Sequence, residues 1–140
     1  MTAHGANIER LGTSSRGVIL VAHGSREPGW AAPFERIRDR IAAEGMPVVV
    51  AYLERMAPDL NDAARELAAA GCEAAIVVPL FLGQGSHVRE GLPKLVAAAM
   101  TVHPSLALTL ADAIGEAPQV QEAIAEASLA AASIARRDPR

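Results

Sequence analysis

Ile76-Val77-Val78-Pro79-Leu80-Phe81-Leu82, then Gly83-Gln84-Gly85-Ser86-His87, then Val88-Arg89-Glu90-Gly91-Leu92-Pro93 is the stretch on which the fold turns. Ile76 to Val78 are too few and too apolar for an amphipathic helix and predict a strand buried on both faces. Gly83 and Gly85 predict a sharp turn or a close backbone approach to a ligand. His87 stands where that loop ends and a helix begins. A histidine there can bind a metal, move a proton, or simply stand exposed to water.

The same layout recurs on either side. Residues 17–22 (Gly-Val-Ile-Leu-Val-Ala) form a second fully apolar strand, which runs into His23-Gly24-Ser25-Arg26-Glu27-Pro28. Trp30, Phe34, Ile37 and Ile41 then recur at helical spacing, with Arg and Asp on the other face, and Gly45 stops the helix. Residues 48–53 are a strand that ends in Glu54. Pro58 suits the first turn of the next helix; Leu60, Ala63, Ala64 and Leu67 form its stripe, and Gly71 closes it. Residues 74–80 are the strand quoted first. A helix is expected over 92–100, with the turn around His87 to Glu90 as a separate short piece, because Pro93 is tolerated only near a helix start. His103-Pro104 reads as a turn. Residues 106–110 are a fourth strand, ending toward Asp112 and Gly115. The last helix starts near Pro118 with Val120, Ile124 and Ala127 inward, and Arg136 to Arg140 read as a solvated helix end.

Strand and helix alternate four times, with connections too long for hairpins. That pattern predicts a three-layer α/β/α domain with a four-stranded parallel sheet, flavodoxin-like in kind. Residues 1–15, with His4 among them, are expected to be a mobile leader and 16–135 a single domain. In such sheets ligands bind outside the carboxyl ends of the strands. His23, Glu54 and His87 each follow a strand directly, so three chemically competent side chains are expected on one edge.

Composition narrows the classes. A chain of 140 residues with 51% apolar residues supports one globular domain. A net charge of −3 argues against nucleic acid and membrane surfaces as partners. No apolar run reaches the length of a membrane span and no signal-peptide core stands at the start, so a cytoplasmic protein is expected. Cys72 is the single cysteine; it excludes an internal disulfide and an all-cysteine metal site, and reads as a buried, inert thiol.

Two imidazoles and one carboxylate suit a first-row divalent ion such as Co²⁺, Ni²⁺, Fe²⁺ or Zn²⁺. A permanent structural zinc would want four protein ligands, usually with cysteine among them, whereas His23, His87 and Glu54 suit an ion that is passed on.

Val-Ala-His23-Gly-Ser-Arg and Pro-Leu-Phe-Leu-Gly-Gln-Gly-Ser-His87-Val-Arg-Glu-Gly-Leu-Pro together resemble the CbiX/SirB family of sirohydrochlorin chelatases, through Tyr52-Leu53-Glu54 and the His103-Pro104 turn. The resemblance covers about residues 17–127. It implies a class II chelatase fold and insertion of Co²⁺, or in some members Fe²⁺ or Ni²⁺, into sirohydrochlorin, with the metal as substrate and no permanent cofactor. It implies that His23 and His87 bind metal and substrate and that Glu54 assists. Ser25, Arg26, Gly85, Ser86 and Arg89 flank the two histidines, where they are expected to meet the substrate; the arginines would pair with its carboxylates or else form surface salt bridges. Gly91 stands where the family often has Asp, which removes one carboxylate from the approach. The chain lacks the cysteine motif and histidine-rich tract of some long members. It is similar to the short form, which pairs with itself, so a homodimer is expected.

Two other classes share parts of this pattern. A histidine phosphatase places its catalytic histidine after the first strand but normally has arginine immediately before it, where Ala22 stands. A non-catalytic metal- or tetrapyrrole-binding module would use the same three residues.

Overall fold

The computed structural model describes residues 15–137, with side chains up to residue 134. Residues 1–14, His4 included, and residues 138–140 lie outside this description. The elements run β1 (Arg16–Ala22), α1 (Ala32–Ala42), β2 (Val48–Tyr52), α2 (Leu60–Ala69), β3 (Ala74–Pro79), α3 (Ser86–Val102), β4 (Ala107–Leu110), a 3₁₀ turn (Ile114–Glu116) and α4 (Pro118–Arg137). The four strands form one parallel sheet in the order β2-β1-β3-β4. This is the α/β architecture read from the alternating pattern.

Side chains alternate across the sheet as the pleat requires. Ile19, Val21, Ala51, Ala75 and Val77 face α2 and α3, where Leu60, Ala63, Ala64, Leu67, Leu92, Val96 and Ala99 close the larger core. Leu20, Ala22, Val50 and Tyr52 face the other way, under Trp30, Phe34 and Ile41. Burying a side chain such as Ile19 of β1 or Leu67 of α2 is worth about 1.5–3 kcal/mol, so strands and helices both contribute to the stability. Cys72 is buried, and that burial pushes its thiol pKa up, as expected of an inert core thiol.

Helix starts differ from the expected ones in small, explicable ways. Trp30 sits in the turn before α1, and Ile37 is 43% exposed rather than inward. Pro58 lies outside α2, because Asp59 caps it: the Asp59 carboxylate accepts from the Asp62 N–H, and the Asp62 carboxylate accepts from the Asp59 N–H. That reciprocal box satisfies two otherwise orphaned donors. Asp59→Ala is expected to lower stability by about 1 kcal/mol, read from urea unfolding. The backbone N–H of Asp59, ahead of Arg65, lowers the Asp62 pKa. A depressed carboxylate stabilises the fold above its unfolded pKa of 3.8 and loses that contribution as pH falls through the folded value.

Three larger corrections bear on function. First, α3 is one continuous helix from Ser86 with Pro93 inside it, not a short turn followed by a helix. Pro93 is exposed, so its ring and the carbonyl it fails to bond at Arg89 both face water, where the loss is least. Second, β3 is not buried on both faces: Ile76 is 40% exposed. Third, α4 does not pack inward. Ile124 is 43% exposed and every residue from 121 to 134 is exposed, Ala127 among them; Val120 alone of the expected stripe is half-buried. His103 ends α3 and leads into the expected turn, its carbonyl accepting from Leu106.

Candidate functional site

The chain leaves β1 for the edge strand β2, then returns past β1 to build β3 and β4 on its other side. The winding direction therefore reverses between β1 and β3. Loops diverge at such a point and leave a crevice at the carboxyl ends of the strands, where α/β sheets bind ligands. His23 follows β1 and the Gly83 to His87 loop follows β3, so both motifs stand at this reversal. Glu54 follows β2, on the other side of β1.

Backbone pairing continues past the strands and holds His23 against Glu54. The Leu53 N–H donates to the Ala22 carbonyl at 3.0 Å, and the Glu54 N–H to the His23 carbonyl at 2.9 Å. Gly24 makes this possible. Its φ is +102°, and a Cβ there would collide with the Glu54 carbonyl oxygen. Only glycine lets the β1 loop bend away while pressed on the β2 loop. The Glu54 carboxylate is exposed and lies 3.6 Å from the Arg55 guanidinium, a weak surface pairing. Tyr52, buried beneath, has its pKa raised by burial and then by Glu35, with Arg38 opposing; its phenol stays neutral.

The His23 imidazole is exposed and rests on the ring of Phe81, with centroids 4.5 Å apart and planes tilted by 37°. Phe81 itself is buried, so it fixes one side of the imidazole and leaves the other to solvent. The Leu80 N–H, donating to the Val21 carbonyl at 2.8 Å, carries the β1–β3 ladder up to this contact. Sequence reasoning passed over Phe81; the only available signal was a large aromatic beside the glycines at the end of a strand. Ser25 is half-buried, and its hydroxyl accepts from the Glu27 N–H at 3.1 Å, closing the loop in a small turn.

His87 lies exposed in the first turn of α3, after the Gly85 N-cap. Neither Gly83 nor Gly85 has a positive φ, and a Cβ on either would meet open space. The expectation of a sharp turn that demands glycine is therefore corrected. The loop would fold with alanine at either position, and what the glycines supply is bare backbone beside the crevice. Ser86 is exposed next to them. Arg89 donates to the Gln84 carbonyl at 3.1 Å and so straps the loop; the rest of its guanidinium lines a concavity of about 540 Å³ with Gln84, Asp112 and Glu116. Arg26 is exposed, and neither it nor Arg89 forms an ion pair with another described residue. Among the described residues no three His, Cys, Asp or Glu side chains gather closely enough to hold a metal ion together, so His23, Glu54 and His87 share the carboxyl edge of the sheet without meeting as one three-ligand cluster.

A parallel α/β domain with two exposed imidazoles at its switch point, and a carboxylate one strand away, has the layout of the open-sheet α/β class, in which ligands bind at the carboxyl edge. The particular family follows from comparison: the CbiX family's sequence profile matches residues 17–131, and the chain belongs to that family. The sirohydrochlorin cobaltochelatase of Methanothermobacter thermautotrophicus is 38% identical over 81 residues, which cover 57% of this chain and 57% of the relative. That of Saccharolobus solfataricus is 34% identical over 80 residues, covering 57% and 62%. The matched segment thus spans about three-fifths of the length of these curated relatives. A CbiX protein of Marinobacter aquaeolei VT8 superimposes with a TM-score of 0.77 at 29% identity, covering 84% of this chain and 98% of that one. SirB of Bacillus subtilis subspecies spizizenii, solved in complex with cobalt, shares the fold with a TM-score of 0.64 at 22% identity; the match covers 71% of this chain and 44% of SirB.

Proposed function

We propose that this protein is a sirohydrochlorin chelatase that inserts a divalent metal, Co²⁺ first and Ni²⁺ or Fe²⁺ by the same chemistry, into sirohydrochlorin in cobalamin or related tetrapyrrole biosynthesis. The observation that carries this reading is the pair His23 and His87, which follow the neighbouring central strands β1 and β3 at the winding reversal of a CbiX-family chain. Metal and macrocycle are both substrates, and no resident cofactor is required.

The chemistry follows from the ligand set. Insertion replaces two pyrrole N–H protons by one M²⁺, so ligands must release the ion as a base takes up protons. Imidazole can do both in turn: a ring nitrogen holds the ion, then accepts a proton once the ion has moved to the macrocycle. Glu54, beside His23, balances the charge of the ion. A metal held by few protein ligands on an exposed edge is more easily released than one in a four-ligand structural site. The bare backbone at Gly85, with Ser86 and Ser25, lets a flat ring approach closely. Arg26 and Arg89 meet its carboxylates. Residues 16–135 act as one domain behind residues 1–15, in the cytoplasm and as a homodimer whose second copy supplies another wall for the macrocycle. No described helix is long and apolar enough to cross a membrane.

The deciding experiment follows the absorption spectrum of sirohydrochlorin with Co²⁺ and sub-stoichiometric protein. Turnover above the uncatalysed rate is expected; stoichiometric binding without turnover would instead make the protein a binding module. Arg26→Ala and Arg89→Ala are each expected to raise KM for sirohydrochlorin more than they lower kcat, and added salt should mimic them. Unchanged KM in both would remove the arginines from the site.

A further inference from the structure

The imidazole of His23 is exposed, yet its plane is not left to solvent. The outer torsion of a histidine side chain is broad, so an exposed ring on its own samples many planes. A ring nitrogen offers its lone pair only within the ring plane, so a ring free to turn has no fixed direction of ligation. Phe81 restricts that freedom. Its ring lies 4.5 Å from the His23 ring, centroid to centroid, with the planes tilted by 37°. His87 differs: it stands exposed in the first turn of α3 and makes no ring contact among the described residues.

Phe81 is itself held from several sides. It is 7% exposed and belongs to the core cluster that contains Leu92 and Ala113. Just before it, the Leu80 N–H donates to the Val21 carbonyl at 2.8 Å and ties this segment to β1. On the other side, the chain after β4 goes on pairing with the chain of β3 and beyond. The Ala111 N–H donates to the Val77 carbonyl at 2.9 Å, and the Gly115 N–H to the Phe81 carbonyl at 2.9 Å. Gln121 Nε2, in the first turn of α4, donates to the Gly115 carbonyl at 3.0 Å and steadies the turn. The approach is so close that a Cβ on Gly115 would collide with the Leu82 backbone. Phe81 therefore cannot turn away from His23 without disturbing backbone on both of its flanks.

We propose that Phe81, seated by the Gly115 turn after β4, is the positioning residue of His23. It holds the imidazole plane, and with it the direction of the nitrogen lone pair, before an ion arrives. The inference rests on the role of His23 as a metal ligand proposed above. Phe81 acts through His23 and touches neither metal nor macrocycle. The two histidines then divide the work by their surroundings: His23 is pre-set by a buried ring, and His87, without such a support, adjusts to the ion. Pre-setting one ligand removes part of the ordering cost of binding while leaving the second free to let go.

The test compares the full-length parent with Phe81→Leu, Phe81→Tyr and Gly115→Ala, each shown to be folded by far-ultraviolet dichroism. Leucine keeps the apolar filling without the ring, and tyrosine keeps the ring. In metal-free protein, the proton resonances of the His23 ring, identified by their loss in His23→Ala, should leave their ring-shielded positions in Phe81→Leu. Calorimetry with Co²⁺ alone should show its Kd raised roughly 2- to 10-fold, the scale of ordering one side chain. With sirohydrochlorin, kcat should fall roughly 10- to 100-fold while KM holds, as a misplaced reacting group requires. Phe81→Tyr should restore Co²⁺ binding to near the parent value, and Gly115→Ala should weaken it in the direction of Phe81→Leu. Unmoved His23 resonances, a parental Co²⁺ Kd in Phe81→Leu, or equal losses in the leucine and tyrosine variants would each overturn the proposal. A raised KM with kcat unchanged would overturn it too, by making Phe81 a substrate contact. If Phe81→Leu does not fold, Phe81→Met, closer in volume, carries the same readings. A parent that binds Co²⁺ without turnover would defeat the chelatase reading alone, leaving the resonances and the Co²⁺ Kd to decide this one.

Discussion

His87→Ala is expected to lose nearly all metal insertion while melting beside the parent protein. His87 is exposed in the first turn of α3 and packs into neither core, so its removal should cost about 0.5 kcal/mol or less. Removing a placed proton acceptor typically costs about 100- to 10,000-fold in rate, and losing a metal ligand adds to that. His23→Ala should lose as much activity but melt slightly lower, because His23 also rests on Phe81; such ring pairs are worth about 0.5–1.5 kcal/mol. Calorimetry should show weaker Co²⁺ binding in both variants. In the parent, binding should tighten as pH rises, since protons compete for the ring nitrogens that the ion needs. Glu54→Gln should be milder than either histidine change, because an amide still accepts hydrogen bonds but no longer balances the charge of the ion. If His87→Ala inserts cobalt at the parent rate, the site lies elsewhere; if it fails to fold, His87 is structural.

Gly24→Ala is expected to damage the fold and the site together. The φ of +102° is strained for alanine, at about 1–2 kcal/mol. The added Cβ must also push the Glu54 carbonyl away, parting the ladder at the Glu54 N–H bond to His23, for roughly another 1 kcal/mol. Roughly 2–3 kcal/mol should appear in the urea midpoint. Activity should fall further than stability alone explains, since the same displacement separates His23 from Glu54. Gly85→Ala is the control: its Cβ meets open space, so stability should hold, and any loss of activity reports contact with the substrate. Equal melting of Gly24→Ala and parent would show that the loop has another way to pack.

Local pattern was enough for the strands and for the edge they define. β-branched runs such as 17–22 and 76–78 cannot form amphipathic helices, and helical spacing between them forces parallel crossovers; from those facts His23, Glu54 and His87 had to emerge at one end of one sheet. Gly45 and Gly71 likewise follow the helices they punctuate, because a helix stop is a local event. Strand order was not local. That β1 lies between β2 and β3, placing His23 beside Glu54 on one side and the Gly83 to His87 loop on the other, depends on which strands pair across the whole chain. The ring of Phe81 under His23 and the backbone of Glu54 against Gly24 are contacts between residues far apart in sequence, and no periodicity announces them. Pro93 stays inside α3 because packing of Leu92, Val96 and Ala99 outweighs one lost hydrogen bond on a wet face. The stripe on α4 shows why amphipathicity alone misleads: it specifies that a helix face must be buried, and only the three-dimensional arrangement decides against what. Here that face meets water: Ile124 is 43% and Ile134 69% exposed.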